Sequence, residues 1–152
     1  MYYLGDFQYY AGQKAANAES YQQPIYVGKA VPPGWRKARK IQASSAALYN
    51  RLKEHSRSIQ QAQNLDIGDF MCQFIILEND ESNLISTIEA ELIRRSMPLW
   101  NTVIDGFGNH DPGSGRYNQA KSEWDVLHPG RSWVRRLTGL APSLEEIISK
   151  IV

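Results

Sequence analysis

"QPIYVGKAVPPGW", residues 23–35, decides how the rest of the chain is read. The apolar run Ile25-Tyr26-Val27 ends at Gly28 and passes straight into Lys29, two prolines and the cations Arg36, Lys37, Arg39 and Lys40. A core strand ordinarily hides its tyrosine and ends in an inert turn. A phenol followed by a row of cations suits an anionic partner instead. Between Lys29 and Arg57 there are eight Lys or Arg residues against a single acid, Glu54, and the acids gather later, from Asp66 to Asp105. Such a one-sided stretch is either a solvated face or an electrostatic footprint for phosphates.

Around that segment the composition is ordinary. A chain of 152 residues is expected to form one domain around one core. Its net charge of +1 does not by itself announce nucleic acid. No apolar run approaches the ~18 residues of a membrane span, and "MYYLGDFQYY" lacks the features of a signal peptide. A cytoplasmic protein with no membrane partner is expected. The single cysteine, Cys72, lies in the apolar run "FMCQFIIL" and is expected to be a buried, inert thiol.

The pattern predicts an α/β (α+β) domain with a small three-stranded mixed or antiparallel sheet flanked by helices. "MYYLG" and "PIYVG" read as strands ended by glycine, with a loop and at most a helical turn between them. "SSAALYNRLKEHSRSIQQAQ" reads as an amphipathic helix opened by a serine pair, with Leu48, Leu52 and Ile59 at helical spacing. "DFMCQFIIL" is apolar on both faces, as a central strand covered on both sides would be. "ESNLISTIEAELIRRSMPLWN" is a second helix, stopped at Met97 by Pro98. A Gly-rich loop from Thr102 to Arg116 follows, then a short amphipathic stretch, "NQAKSEWDVL". The closing helix, "APSLEEIISKIV", has Ser143 and Glu146 in capping-box positions.

Two helices carry candidate chemistry. Glu89 falls among Ile85, Ile88, Leu92 and Ile93 on one face, while Glu91 and Arg94 point the other way. A carboxylate on such a stripe either sits at its edge paired with an arginine or belongs to a site, because desolvation penalises it alone. Arg51 and His55, at i and i+4, share a face of the earlier helix. With a tyrosine, a lysine and a carboxylate, they make a set able to clamp a phosphate, hold a divalent ion and move a proton. Zinc spacing is absent, since the three histidines are scattered and the cysteine is alone. "GKAVPPG" is not a phosphate-binding P-loop.

In order and spacing, "PIYVGKA", "RLKEH" and "IEAELIRRSMPLWN" resemble the GIY-YIG nuclease superfamily, "YVG" standing for the second half of its name motif. "GKAVPPGW" and "GFGNHDPGSGRYNQAKSEWDVLHPGRSW" resemble one subgroup, type II restriction endonucleases that cut CCGCGG. The resemblance implies a site-specific DNA endonuclease that hydrolyses phosphodiesters with Mg²⁺ (or Mn²⁺) and needs no small-molecule cofactor. Glu89 would be the sole protein ligand of the metal. Tyr26 would position or deprotonate the attacking water, Arg51 would stabilise phosphate charge, His55 would assist proton handling and Asn101 would brace the site. Lys29, Arg36 and Lys37 would bind phosphates, while Asn109, His110, Arg116 and Arg131 would read bases.

The same resemblance divides residues 1–152 into a catalytic core, 1–104, and a DNA-recognition loop with C-terminal helices, 105–152. The family's Gly-x-Tyr half motif aligns before Met1, so the core would lack the first half of strand one, and Tyr3 shares only its strand parity. A palindromic site implies a homodimer on DNA. Trp124, Leu127 and Trp133 are large apolar groups suited either to that interface or to packing the domain. The alternative function is a catalytically impaired or truncated homologue that only binds DNA.

Overall fold

The computed structural model describes residues 1–34 and 46–152. The cations Arg36 and Lys37, and the serines expected to open the Arg51 helix, lie outside those residues. Strand β1 (Tyr2–Tyr3) pairs antiparallel with β2 (Phe70–Met71), Tyr2 opposite Met71 and Tyr3 opposite Phe70. The described residues therefore hold a two-stranded sheet where three strands were expected.

Residues 24–28 form no strand, and the chain bends at Ile25. Pro24 has no N–H to give a ladder. The Ile25 and Tyr26 amides both donate to the Met1 carbonyl, and the Ile25 carbonyl accepts from the Trp100 amide. Both polar groups of Val27 are taken by the Asn101 side chain, at 2.8 Å each. A side-chain amide thus stands where a neighbouring strand would have been.

The expected central strand is also short. Beyond Met71, residues 72–76 are exposed and Leu77 is half-buried, with Phe74, Ile75 and Ile76 at 60%, 72% and 64%. Cys72 is exposed as well, not a buried thiol. Among the described residues no layer covers this segment. Its apolar side chains instead form one wall of a cleft.

The core lies on the other side of the sheet. Trp100 is its hub, with the rings of Tyr10, Phe70, Phe107, Trp124 and His128 centred 4.6–6.2 Å away. Trp124, Leu127 and Ile147 join Tyr3, Ile25 and Ile59 in the same buried cluster. Burying each such side chain contributes roughly 1.5–3 kcal/mol. Trp124 and Leu127 therefore pack the domain; Trp133 is half-buried beside them.

A polar relay crosses this core. The Trp100 indole N–H donates to the Tyr10 hydroxyl at 2.9 Å, and Tyr10 meets His128 Nε2 at 2.7 Å. His128 Nδ1 meets Asn64 Oδ1 at 2.8 Å. With Tyr10 donating to Nε2, His128 carries its proton on Nδ1. Burial pushes the His128 pKa down to about 3, so the ring stays neutral.

Helices place the rest. The stretch between the two N-terminal segments holds a 3-10 turn, Gln8–Tyr10, and α1 (Ala11–Asn17), more helix than expected. Helix α2 (Ala47–Gln61) buries His55 and Ile59, and Ala62 just beyond it continues that stripe. Helix α3 (Ile85–Ser96) follows a 3-10 segment, Asn79–Leu84. It ends with Met97 in the left-handed region, φ 44°. Pro98 disfavours a helical conformation at the residue before it, and the chain restarts as α4 (Leu99–Thr102). That sharp turn carries Asn101 from the end of α3 back to Val27. Helices α5 (Glu123–Leu127) and α6 (Leu144–Ile151) close the chain. The capping box of Ser143 and Glu146 is formed.

Candidate active site

Tyr26, Lys29, Arg51, His55 and Glu89 all line one cleft of about 1170 Å³. Its opposite wall is apolar, made by residues 74–77 and by Ile85, Ile88 and Leu92 of α3. The α3 stripe that a helical wheel assigns to the core thus faces the cleft, and no residue of α3 is fully buried. Glu89 stands on that wall. Its carboxylate lies 2.8 Å from the Lys29 ammonium, which also donates to Ser86 Oγ at 3.0 Å. Glu91 points away and pairs with Arg94 and Arg95 on the exposed side, as the wheel requires.

Tyr26 is held from three directions. Arg51 Nη2 donates to its hydroxyl at 3.5 Å, a long bond and a weak one. The His55 ring meets the Tyr26 ring edge-on, with centroids 5.1 Å apart. Phe107 packs edge-on against Tyr26 at 4.9 Å and stacks on His55 at 4.7 Å. A Cβ on Gly28 would stand 2.7 Å from the Tyr26 ring, so this glycine makes room for the phenol. Asn101 braces the same segment through its two bonds to Val27. Tyr3 is elsewhere: it is buried in the core against Tyr10 and Phe70, and its neighbour Tyr2 lines the cleft.

His55 is buried beside cations. Burial first, then the neighbouring Arg51 and His110, hold its pKa down to about 3. The ring is therefore a neutral imidazole at ordinary pH, and its surroundings oppose the uptake of a proton.

The Gly-rich loop enters this site. His110 Nε2 lies 2.9 Å from Arg51 Nη1, and Glu54 lies 3.3 Å from the same nitrogen. A Cβ on Gly108 would lie 3.1 Å from the Tyr26 hydroxyl and 3.2 Å from Arg51 Nη2. Arg51 Nε is buried with no described partner. Phe107, Gly108 and His110 are thus neighbours of the Tyr26, His55 and Arg51 side chains. Sequence reading missed Phe107 and Gly108; the one signal was a phenylalanine set between glycines in a polar loop.

The four residues expected to read bases separate. Asn109 and Arg116 are exposed, and their side chains bond to no described residue. His110 turns to Arg51. Arg131 is corrected outright. It is 2% exposed, and Asp125 accepts from its Nε and Nη2 at 2.6 and 2.7 Å. A guanidinium spent on a buried carboxylate cannot also reach a base edge.

A phenol, a guanidinium and an ammonium converge with one carboxylate on an open cleft, a set able to meet an anionic group such as a phosphodiester. Residues 1–152 match the family model described as the Eco29kI GIY-YIG domain, and the chain belongs to that family. Eco29kI is a type II restriction enzyme that recognises CCGCGG. The chain is accordingly a restriction endonuclease domain with DNA as its substrate class. Comparison with curated proteins gave no match. Among the described residues no helix is long and apolar enough to cross a membrane.

Proposed function

We propose that the protein is a type II restriction endonuclease that uses Mg²⁺, or Mn²⁺, to cut both strands of a GC-rich palindrome such as CCGCGG, and that it pairs as a homodimer on DNA. The observation that carries this reading is the convergence of Tyr26, Lys29, Arg51 and Glu89 on one cleft. In this scheme the scissile phosphate enters between Arg51 and Lys29. Arg51 offsets charge on its non-bridging oxygens, with the geometric match that guanidinium has for phosphate. The Tyr26 hydroxyl orients the attacking water, and neutral His55 packs the phenol from behind. Asn101 keeps the tyrosine segment from moving.

The donor set bears on the metal. Among the described residues no group of three or more His, Cys, Asp or Glu could hold an ion. A transition metal wanting several protein ligands does not fit. A hard cation that keeps its waters and binds through one carboxylate and substrate phosphates does. Glu89 would hold it, after exchanging Lys29 for the ion. The ion would supply Lewis-acid stabilisation of phosphate charge.

One observation favours a protein that binds DNA without cutting it: the only carboxylate among the cleft's proposed catalytic groups is already engaged by a lysine. Supercoiled plasmid carrying CCGCGG sites, incubated with the protein and Mg²⁺, separates the two readings. Discrete linear fragments that vanish with EDTA are expected. Retardation of site-bearing DNA with no cleavage at any Mg²⁺ or Mn²⁺ concentration would establish the binding-only reading.

A further inference from the structure

We propose that Arg131, with Asp125, is a positioning residue of catalysis: it holds loop 106–110 so that Gly108 and His110 set Arg51 and Tyr26. The inference rests on the nuclease reading and deepens it.

A guanidinium offers five N–H donors in a planar fork, and Arg131 uses every one. Nε and Nη2 donate to the Asp125 carboxylate, at 2.6 and 2.7 Å. The second Nη2 hydrogen goes to the Gly106 carbonyl at 2.9 Å. Nη1 donates to the carbonyls of Phe107 and Asn109, at 3.2 and 3.1 Å. The guanidinium carbon lies over the Trp124 ring at 4.7 Å and the Trp133 ring at 4.8 Å. Asp125 is fixed in turn by the Ser122 hydroxyl at 2.7 Å. Both charges are buried, with side chains only 1% exposed.

Such a pair is weak evidence for stability, because desolvation offsets much of its attraction. What it fixes here is a backbone. The carbonyls of Gly106, Phe107 and Asn109 converge on one rigid cation, and the same loop meets the active-site side chains. Phe107 lies between His55 and Tyr26. Gly108 leaves no more than contact distance to Tyr26 and Arg51. His110 accepts from Arg51 on its Nε2 face. Asn109, exposed in the same run, is carried by the same clamp through its carbonyl.

Two variants test this, with Arg135→Ala, on the exposed face of the same turn, as control. Gly108→Ala inserts a methyl against the flexible ends of Tyr26 and Arg51 and should fold normally. Arg131→Lys keeps a charge for Asp125 but cannot reach three carbonyls. The readouts are melting temperature, Kd for a CCGCGG duplex without Mg²⁺, and the single-turnover cleavage rate at saturating DNA with Mg²⁺. Both variants should bind within about threefold of the parent yet cleave at least tenfold more slowly, while Arg135→Ala cleaves normally. Folded variants cleaving at the parental rate would overturn the proposal. If the parent itself cuts no DNA, the nuclease reading fails separately. The positioning claim is then decided by the His110 ring nitrogen signals, which Arg131→Lys should move as Arg51→Lys does. Unmoved signals refute it.

Discussion

The Lys29 ammonium and the Glu89 carboxylate face each other at 2.8 Å across the mouth of the cleft, one from the segment after Tyr26 and the other from helix α3. Under the proposed function, a divalent ion and a lysine would compete for one carboxylate. Glu89→Gln should leave folding and DNA binding intact and cut the cleavage rate by roughly 100-fold or more, since several kcal/mol of charge stabilisation go with the ion. Glu91→Gln, whose carboxylate serves only Arg94 and Arg95, should cleave almost normally. Plasmid cleavage against Mg²⁺ concentration measures both. Normal cutting by the Glu89 variant would remove it from the metal site.

Asn101 replaces a strand partner for Val27, and its loss should be felt in two ways. Asn101→Ala leaves a backbone N–H and C=O of Val27 without their 2.8 Å partners, a penalty of about 1–3 kcal/mol for each group kept from water. It also frees the Tyr26 segment, so the single-turnover rate should fall further than the DNA affinity. Urea melts and rapid-quench cleavage read the two effects. A stable variant that cleaves at the parental rate would show that Asn101 braces nothing of consequence.

Arg131→Met, unlike Arg131→Lys, abandons Asp125 in the core. Breaking a buried pair by removing one partner costs about 3–5 kcal/mol, so the urea midpoint should drop sharply. Replacing both partners with apolar residues should recover much of that stability without restoring the fixed loop. A melt for the single variant that superimposes on the parent would contradict the buried geometry.

Acid should destabilise the fold through two histidines. His55 and His128 both have folded pKa values near 3, against about 6.5 in an unfolded chain. Between those values the unfolded state binds protons that the folded state refuses. Stability is therefore full above about pH 6.5 and is lost as pH falls toward 3. The loss is of order 2 kcal/mol per histidine at pH 5. His128→Asn should flatten part of this slope in melts between pH 7 and pH 4.5. An unchanged slope would place the sensitivity in the carboxylates.

Arg116 is the exposed arginine of the Gly-rich loop, with no described side-chain partner. Arginine to guanine is the commonest specific base contact, and each good contact is worth about 1–3 kcal/mol of discrimination. Arg116→Ala should weaken binding to CCGCGG by roughly tenfold or more while hardly changing affinity for unrelated duplexes. Equal losses on every sequence would assign it to the phosphate backbone.

The local features were legible because they depend on near neighbours. Helical spacing placed Arg51 and His55 on one face, Ser143 and Glu146 in a capping box, and Glu91 away from Glu89. The local expectation for a structural pairing of Glu89 is an arginine; its partner is instead Lys29, sixty positions away, which also donates to Ser86. Apolar periodicity also misled. Residues 74–77 and the stripe of Ile85, Ile88 and Leu92 read as core, since a pattern records which side chains are apolar and not whether another layer meets them.

By itself, then, the sequence determined the elements whose forces are local, the family, and the kinds of side chain available to meet a phosphate. Tertiary structure alone decided their assignments. Arg131 and Arg116 are the same residue type in the same polar tail. One is enclosed between two indoles and spent on a buried carboxylate; the other faces solvent. The difference is desolvation: a charge taken out of water must find its partners inside, and those partners come from parts of the chain that no local pattern can bring together.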